Sequence, residues 1–209
     1  MRFIGCKTLL LDNIKEVIDA HAPDAKTFCD IFSGTSTVAR HFKQWYEVIS
    51  NDLLYFSYCL QMATIENDGL PSYSVLLEKC GIADPFEYFN SMKTEDMEAL
   101  PVEKRFFQNN YAPVGGRMYV TDSNALRIDF ARNMVEQWRN AGYLSDLEYY
   151  HLVAGIVEGI PLYRTMPVPM ARSTKHGISA LIRFSRLSSS LSQQTESKTA
   201  ATTKTAFNC

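Results

Sequence analysis

An α/β fold with a parallel sheet and a helical insertion follows from three features of this 209-residue chain. Short apolar runs alternate with helical periodicities over its first third. Long period-four apolar patterns appear only later, and a polar, basic composition takes over at the end.

The elements follow in order. Leu10, Ile14, Val17 and Ile18 recur at helical spacing, which predicts an amphipathic helix over Lys7–Ala20, closed off by Pro23. Thr27–Phe32 reads as a buried strand. Thr37–Gln44 reads as a helix with Val38 and Phe42 inward, Tyr46–Asn51 as a second strand, and Leu53–Ile65 as a further helix. A β-α-β-α order of this kind builds parallel strands joined by crossovers. Between Gly69 and Gly116 the periodicity weakens and Phe86, Tyr88, Phe89, Phe106, Phe107 and Tyr111 are scattered, so helix and loop are not separable there. Leu126, Phe130, Met134 and Trp138 then repeat every fourth residue up to Gly142. Ser145-Asp146-Leu147-Glu148 has the pattern of a capping box that starts a helix reaching Ile160. These two helices form a hairpin outside the sheet. The chain therefore divides into an α/β core at 1–68, a mostly helical insertion at 69–163 and a tail at 164–209.

The tail holds eight Ser, seven Thr, seven Lys or Arg and one acid, a net charge of +6, whereas the rest carries 14 basic and 22 acidic residues, a net of −8. A Ser/Thr-rich, weakly periodic basic stretch buries too little apolar surface to offset its ordering entropy and is expected to be disordered. The whole chain has a net charge of −2, so no global field draws it to nucleic acid. Its five cysteines, Cys6, Cys29, Cys59, Cys80 and Cys209, show neither a C-x-x-C pair nor a histidine at ligand spacing, which points to a reducing compartment and no zinc site. The first residues carry charge too early for a signal peptide, and no apolar run reaches membrane-spanning length. A cytoplasmic protein without membrane association is expected.

The chemistry concentrates in Asp30-Ile31-Phe32-Ser33-Gly34-Thr35-Ser36 and in Asp52. A carboxylate at a strand end is placed for a cationic or hydroxyl-bearing ligand rather than for the core. Gly34 allows the backbone to approach that ligand, and the helix from Thr37 presents its free N–H groups. An ordinary capped helix after a strand explains the same turn equally well. Asp52, at the end of the second strand, suits both ribose hydroxyls of a nucleoside, and it also suits an N-cap. Gly34 is the only glycine between Lys26 and Asn67, which disfavours the pyrophosphate cradle of a nicotinamide dinucleotide. No G-x-x-x-x-G-K-[ST] phosphate loop is present. S-adenosylmethionine has no phosphate and carries a sulfonium cation and a ribose, and it fits two acids around a single-glycine bend.

Arg2-Phe3-Ile4-Gly5-Cys6-Lys7, Asp30-Ile31-Phe32-Ser33-Gly34-Thr35-Ser36 and Ile49-Ser50-Asn51-Asp52 resemble, in order and spacing, the D12-class adenine-specific DNA methyltransferases. The resemblance implies a Rossmann-like, S-adenosylmethionine-dependent methyltransferase core that methylates N6 of adenine in double-stranded DNA, within restriction-modification and beside a cognate restriction endonuclease. It implies that Gly5 and Lys7 lie at the methionine end of the cofactor. Asp30, Phe32, Gly34, Thr35 and Ser36 would form the cofactor loop, and Asn51 and Asp52 would meet the ribose. Ser36 stands where the family pattern has a second glycine. If that position is left-handed, serine there costs about 1 kcal/mol or more. The family's D-P-P-Y loop, which holds a flipped adenine, has no counterpart, since the chain contains no Pro-Pro. Asp84-Pro85 is a partial mimic that reads more simply as a helix start. No catalytic residue is therefore assigned. The resemblance fades near Tyr163, so an inactive, truncated or frameshifted copy is one expectation, and a nonenzymatic S-adenosylmethionine-binding remnant or interaction module is the alternative.

Overall fold

The computed structural model describes residues 7–160 and the pair Lys204–Thr205. A turn of 3₁₀ helix at Thr8–Leu10 leads into α1, Leu11–His21, followed by β1, Thr27–Asp30, α2, Thr37–Phe42, β2, Glu47–Ser50, and α3, Tyr55–Gln61. A wider π turn, Met62–Glu66, extends α3. β1 pairs with β2 in parallel, Asp30 opposite Ser50. β3, Lys204–Thr205, continues the parallel sheet on the far side of β2.

The β-α-β-α order expected from the sequence is present, but β1 departs from the buried strand anticipated over Thr27–Phe32. Its residues alternate between exposed and half-buried, whereas Val48 and Ser50 of β2 are buried. The reason is position. β2 has a strand on each side, and β1 ends the strand order among the described residues. Ile31 and Phe32 lie beyond the strand and are exposed. Ala39, Val48 and Ile65 form the apolar centre here. Phe42 is fully buried and stacks on Phe28 with ring centroids 4.6 Å apart. Ala39 rather than Val38 accompanies Phe42 inward. Burial lowers the ammonium pKa of Lys43, which nevertheless pairs with Asp68 at 2.6 Å and donates to the carbonyls of Thr64 and Asn67. α1 forms, but of the four residues expected on its inner face only Ile14 and Ile18 are half-buried, whereas Leu10 and Val17 are exposed, and the helix buries no residue completely.

A second compact unit begins at Ser72. The stretch in which periodicity fails contains α4, Ser74–Cys80, α5, Pro85–Ser91, α6, Thr94–Met97, and α7, Phe106–Tyr111. Helices of four to seven residues are too short for a repeat to show. α8, Asp122–Asn140, and α9, Asp146–Gly159, are the expected pair. Thr121 caps α8, and the Ser145–Glu148 capping box starts α9 with both of its hydrogen bonds. The buried stripe of α8 departs from the period-four expectation: Leu126 and Trp138 are buried, Phe130 and Met134 only half-buried, and Ala125, Ile128, Asp129, Ala131 and Val135 complete the inner face. Phe89 stacks on Trp138 at 5.4 Å, and the ring of Phe86 fills the space where a side chain at Gly155 would stand. The expectation of a disordered tail falls on residues outside those described, apart from Lys204–Thr205, which form β3.

Candidate cofactor site

The parallel register brings the carboxyl ends of β1 and β2 side by side, so Asn51 and Asp52 emerge next to the bend that follows Asp30. Hydrogen bonds lock the two segments together. The Asn51 N–H donates to the Asp30 carbonyl at 2.9 Å, and the Ser33 N–H donates to the Asn51 carbonyl at 3.0 Å. The Asn51 side-chain amide donates to the Ile31 carbonyl at 3.1 Å. Asp52 uses both carboxylate oxygens, accepting from the Gly34 N–H at 2.8 Å and from the Leu54 N–H at 2.9 Å. The second bond closes a local turn and does not cap a helix, since α3 starts at Tyr55 with Leu54 as its N-cap and no side-chain cap bond, which corrects the N-cap expectation; the first reaches across to the bend.

Gly34 is left-handed, with φ +52°, and a Cβ there would meet nothing within 4 Å. Backbone conformation, not crowding, is what glycine supplies at this position. Ser36 is also left-handed, with φ 58°, and is fully buried. Its N–H donates to the Ser33 carbonyl at 2.7 Å, and its own carbonyl accepts from the Arg40 N–H at 2.9 Å. The conditional strain at the missing second glycine is therefore realised.

Asp30 is the electrostatic focus. Burial above all raises its carboxyl pKa, and the nearby charge of Asp52 pushes the same way. The Ala39 N–H, which it accepts, and the charge of Lys7 oppose the rise. Its Oδ2 is buried and has no hydrogen-bond partner among the described residues. A carboxylate oxygen held out of water without a donor is costly unless a ligand supplies one. An ammonium group supplies such a donor and a sulfonium adds only positive charge; S-adenosylmethionine carries both.

The structure thus brings Asp30, Gly34, Ser36, Asn51 and Asp52 together, with Lys7 close enough for its charge to act on Asp30. Thr35 points its hydroxyl at that of Thr37, 2.9 Å away. Phe32 is 86% exposed, so its ring is not part of any core. Gly5 lies outside the described residues. Sequence reasoning misses Ser33, Ser50 and Gln61, which meet beneath the bend through bonds of 2.9 Å. The nearest signal is polarity at Ser50, directly after the apolar pair Val48-Ile49. Asp84, the partial mimic of a catalytic loop, starts α5: its Oδ1 accepts from the N–H groups of Phe86 and Glu87, as the simpler reading anticipates.

The model of the D12 class N6 adenine-specific DNA methyltransferases matches residues 3–206. This chain belongs to that family. The match runs past Tyr163, where the motif resemblance fades, and through β3. Among relatives, the type II methyltransferase M.FokI of Planomicrobium okeanokoites is 43% identical over 180 residues, covering 84% of this chain and 27% of its own. The modification methylase StsI of Streptococcus sanguinis is 40% identical over 162 residues, 77% of this chain and 24% of its own. The type II methyltransferase M.NlaIII of Neisseria lactamica is 31% identical over 166 residues, 76% of this chain and 45% of its own. The chain of this D12 family member spans about a quarter of the length of the first two. No solved structure matches it. Among the described residues, no helix is long and apolar enough to cross a membrane.

Proposed function

We propose that this chain binds S-adenosylmethionine as the cofactor-holding part of a site-specific DNA methyltransferase directed at N6 of adenine. The observation that supports this most is the buried Oδ2 of Asp30, without a partner among the described residues and set beside a doubly left-handed bend that Asp52 ties down. Asp30 receives the cationic methionine end, with Lys7 and Gly5 alongside. Gly34, Thr35 and Ser36 bring the backbone close, Phe32 offers an exposed ring, and Asn51 and Asp52 meet the ribose. Each carboxylate oxygen of Asp52 keeps a lone pair beyond its backbone bond, so a ribose hydroxyl can still donate to it. When bound, the cofactor supplies an electrophilic methyl group. What these residues do is orient it and exclude water from the sulfonium. The acceptor is adenine in double-stranded DNA, the setting is restriction-modification with a cognate endonuclease, and the compartment is the cytoplasm.

Isothermal titration with S-adenosylmethionine and with NAD tests the cofactor assignment. Binding of the first alone, weakened in Asp30→Asn, is the expected result, and NAD binding in its place overturns it. A radiolabelled methyl-transfer assay on an adenine-containing duplex tests the reaction. Binding without transfer assigns the chain to the nonenzymatic alternative.

A further inference from the structure

Beneath the cofactor bend lies a buried polar junction made by three elements. Ser33 Oγ accepts from Ser50 Oγ and from Gln61 Nε2, each at 2.9 Å. Ser33 is 7% exposed, Ser50 0% and Gln61 1%. One residue comes from the bend, one from the end of β2, and one from the end of α3. A long polar side chain sealed from water gains little for stability over an apolar one of the same shape, because its hydrogen bonds mainly replace those it had with solvent. What the junction does supply is a fixed place for Ser33. The backbone of Ser33 in turn reaches both halves of the site: its N–H donates to the Asn51 carbonyl at 3.0 Å, and its carbonyl accepts from the left-handed Ser36 at 2.7 Å.

We infer that Gln61 and Ser50 are positioning residues that clamp Ser33, and through it the strained Gly34–Ser36 bend, in the shape that receives the cofactor. This rests on the cofactor assignment proposed above. Neither side chain touches the ligand. They hold in place a conformation that the missing second glycine makes costly, so binding does not have to order it.

The test uses the full chain and two variants, Gln61→Leu, which keeps the bulk and removes the donor, and Ser50→Ala. Three quantities are measured: affinity for S-adenosylmethionine by titration calorimetry, amide hydrogen exchange resolved by segment, and the urea midpoint. The expected result is binding about tenfold weaker, from the loss of one buried hydrogen bond on the ordered bend. Faster exchange confined to residues 33–36, with α8 unchanged, accompanies it. A general loss of stability would quicken exchange in unit-wide segments instead. Folded Gln61→Leu with wild-type affinity and unchanged exchange at the bend overturns the inference, as does weaker binding without any change there. If Gln61→Leu does not fold, Ser50→Ala is judged by the same criteria. If the unmodified chain binds no S-adenosylmethionine, the cofactor assignment fails. Exchange at residues 33–36 then decides the positioning role alone: acceleration in the variants supports it and no acceleration overturns it.

Discussion

Two aspartates, the fully buried Asp129 in one compact unit and the half-buried Asp30 in the other, have opposite surroundings. Asp129, in the helical unit, gives both oxygens to the fold: Oδ1 accepts from the Phe107 N–H at 2.9 Å and from Arg132 at 3.2 Å, and Oδ2 accepts from the Gln108 N–H at 2.9 Å. Asp30, in the α/β unit, accepts from the Ala39 N–H and leaves Oδ2 without a donor among the described residues. Burial raises the pKa of both. A shifted carboxylate is thus no guide to function by itself. The guide is whether the fold has used up its acceptors. The same contrast extends to the packing around them. The helical unit buries Leu76, Phe86, Phe89, Met97, Leu126 and Leu152 almost completely, while the α/β unit places Ser33, Ser50 and Gln61 among its few buried side chains.

Substituting each aspartate should separate their roles. Asp129→Ala strands two backbone N–H groups of α7, at about 1–3 kcal/mol each, and is expected to cost about 3–5 kcal/mol in urea unfolding, while the exposed Arg132 turns to solvent. Asp30→Asn should leave the urea midpoint nearly unchanged, because it removes a charge whose burial already disfavours it. It should weaken S-adenosylmethionine binding by about a hundredfold in calorimetry, the worth of a charged hydrogen bond in a dry site. The contrast breaks if Asp30→Asn unfolds the protein and the residual folded fraction binds the cofactor normally.

A pH titration of stability comes next in size. Tyr73 Oη lies 2.6 Å from His151 Nδ1, and burial pushes the histidine pKa down to about 4. The unfolded chain then takes up this proton near pH 6.5 while the folded one does not, so stability falls as pH drops from about 6.5 to about 4, by about 2–3 kcal/mol at most. Asp30 and Asp129 act with the opposite sign, since a raised carboxyl pKa contributes stability at low pH that is lost as pH rises through it. The His151 contribution is therefore read as the difference between wild type and His151→Gln in urea unfolding at pH 7 and pH 4.5, which should shrink toward the lower pH. An unchanged difference would place His151 outside this titration.

The smallest effect concerns the bend. Ser36→Gly should raise the unfolding free energy in urea by up to about 1 kcal/mol, because relief of left-handed strain is partly cancelled by the extra freedom of glycine in the unfolded chain. No gain would mean that the structure around Ser36 carries no strain from its φ of 58°.

Features with local causes are legible in the amino-acid sequence. The Ser145–Glu148 box forms with both bonds, α8 follows from its apolar repeat, and the β1-α2-β2 order follows from short apolar runs either side of a helical one. Residue type and spacing mark Asp30, Gly34 and Asp52, because a strand-end acid and a lone glycine in a bend answer to their immediate neighbours. The four short helices between Gly69 and Gly116 are not legible, since one or two turns cannot show a period.

The amino-acid order by itself determined the start of α9 at its capping box, the turn at Gly34 and the placing of an acid at or just after the end of each of two strands, all consequences of neighbours within a few residues. Tertiary structure alone decided that, among the described residues, β1 ends the strand order with Phe32 exposed and Asp30 keeps an oxygen free while Asp129 does not, and that Gln61 reaches Ser33 from 28 residues away. Burial and hydrogen-bond satisfaction depend on atoms brought together from distant parts of the chain, and no pattern in the sequence near a residue encodes them.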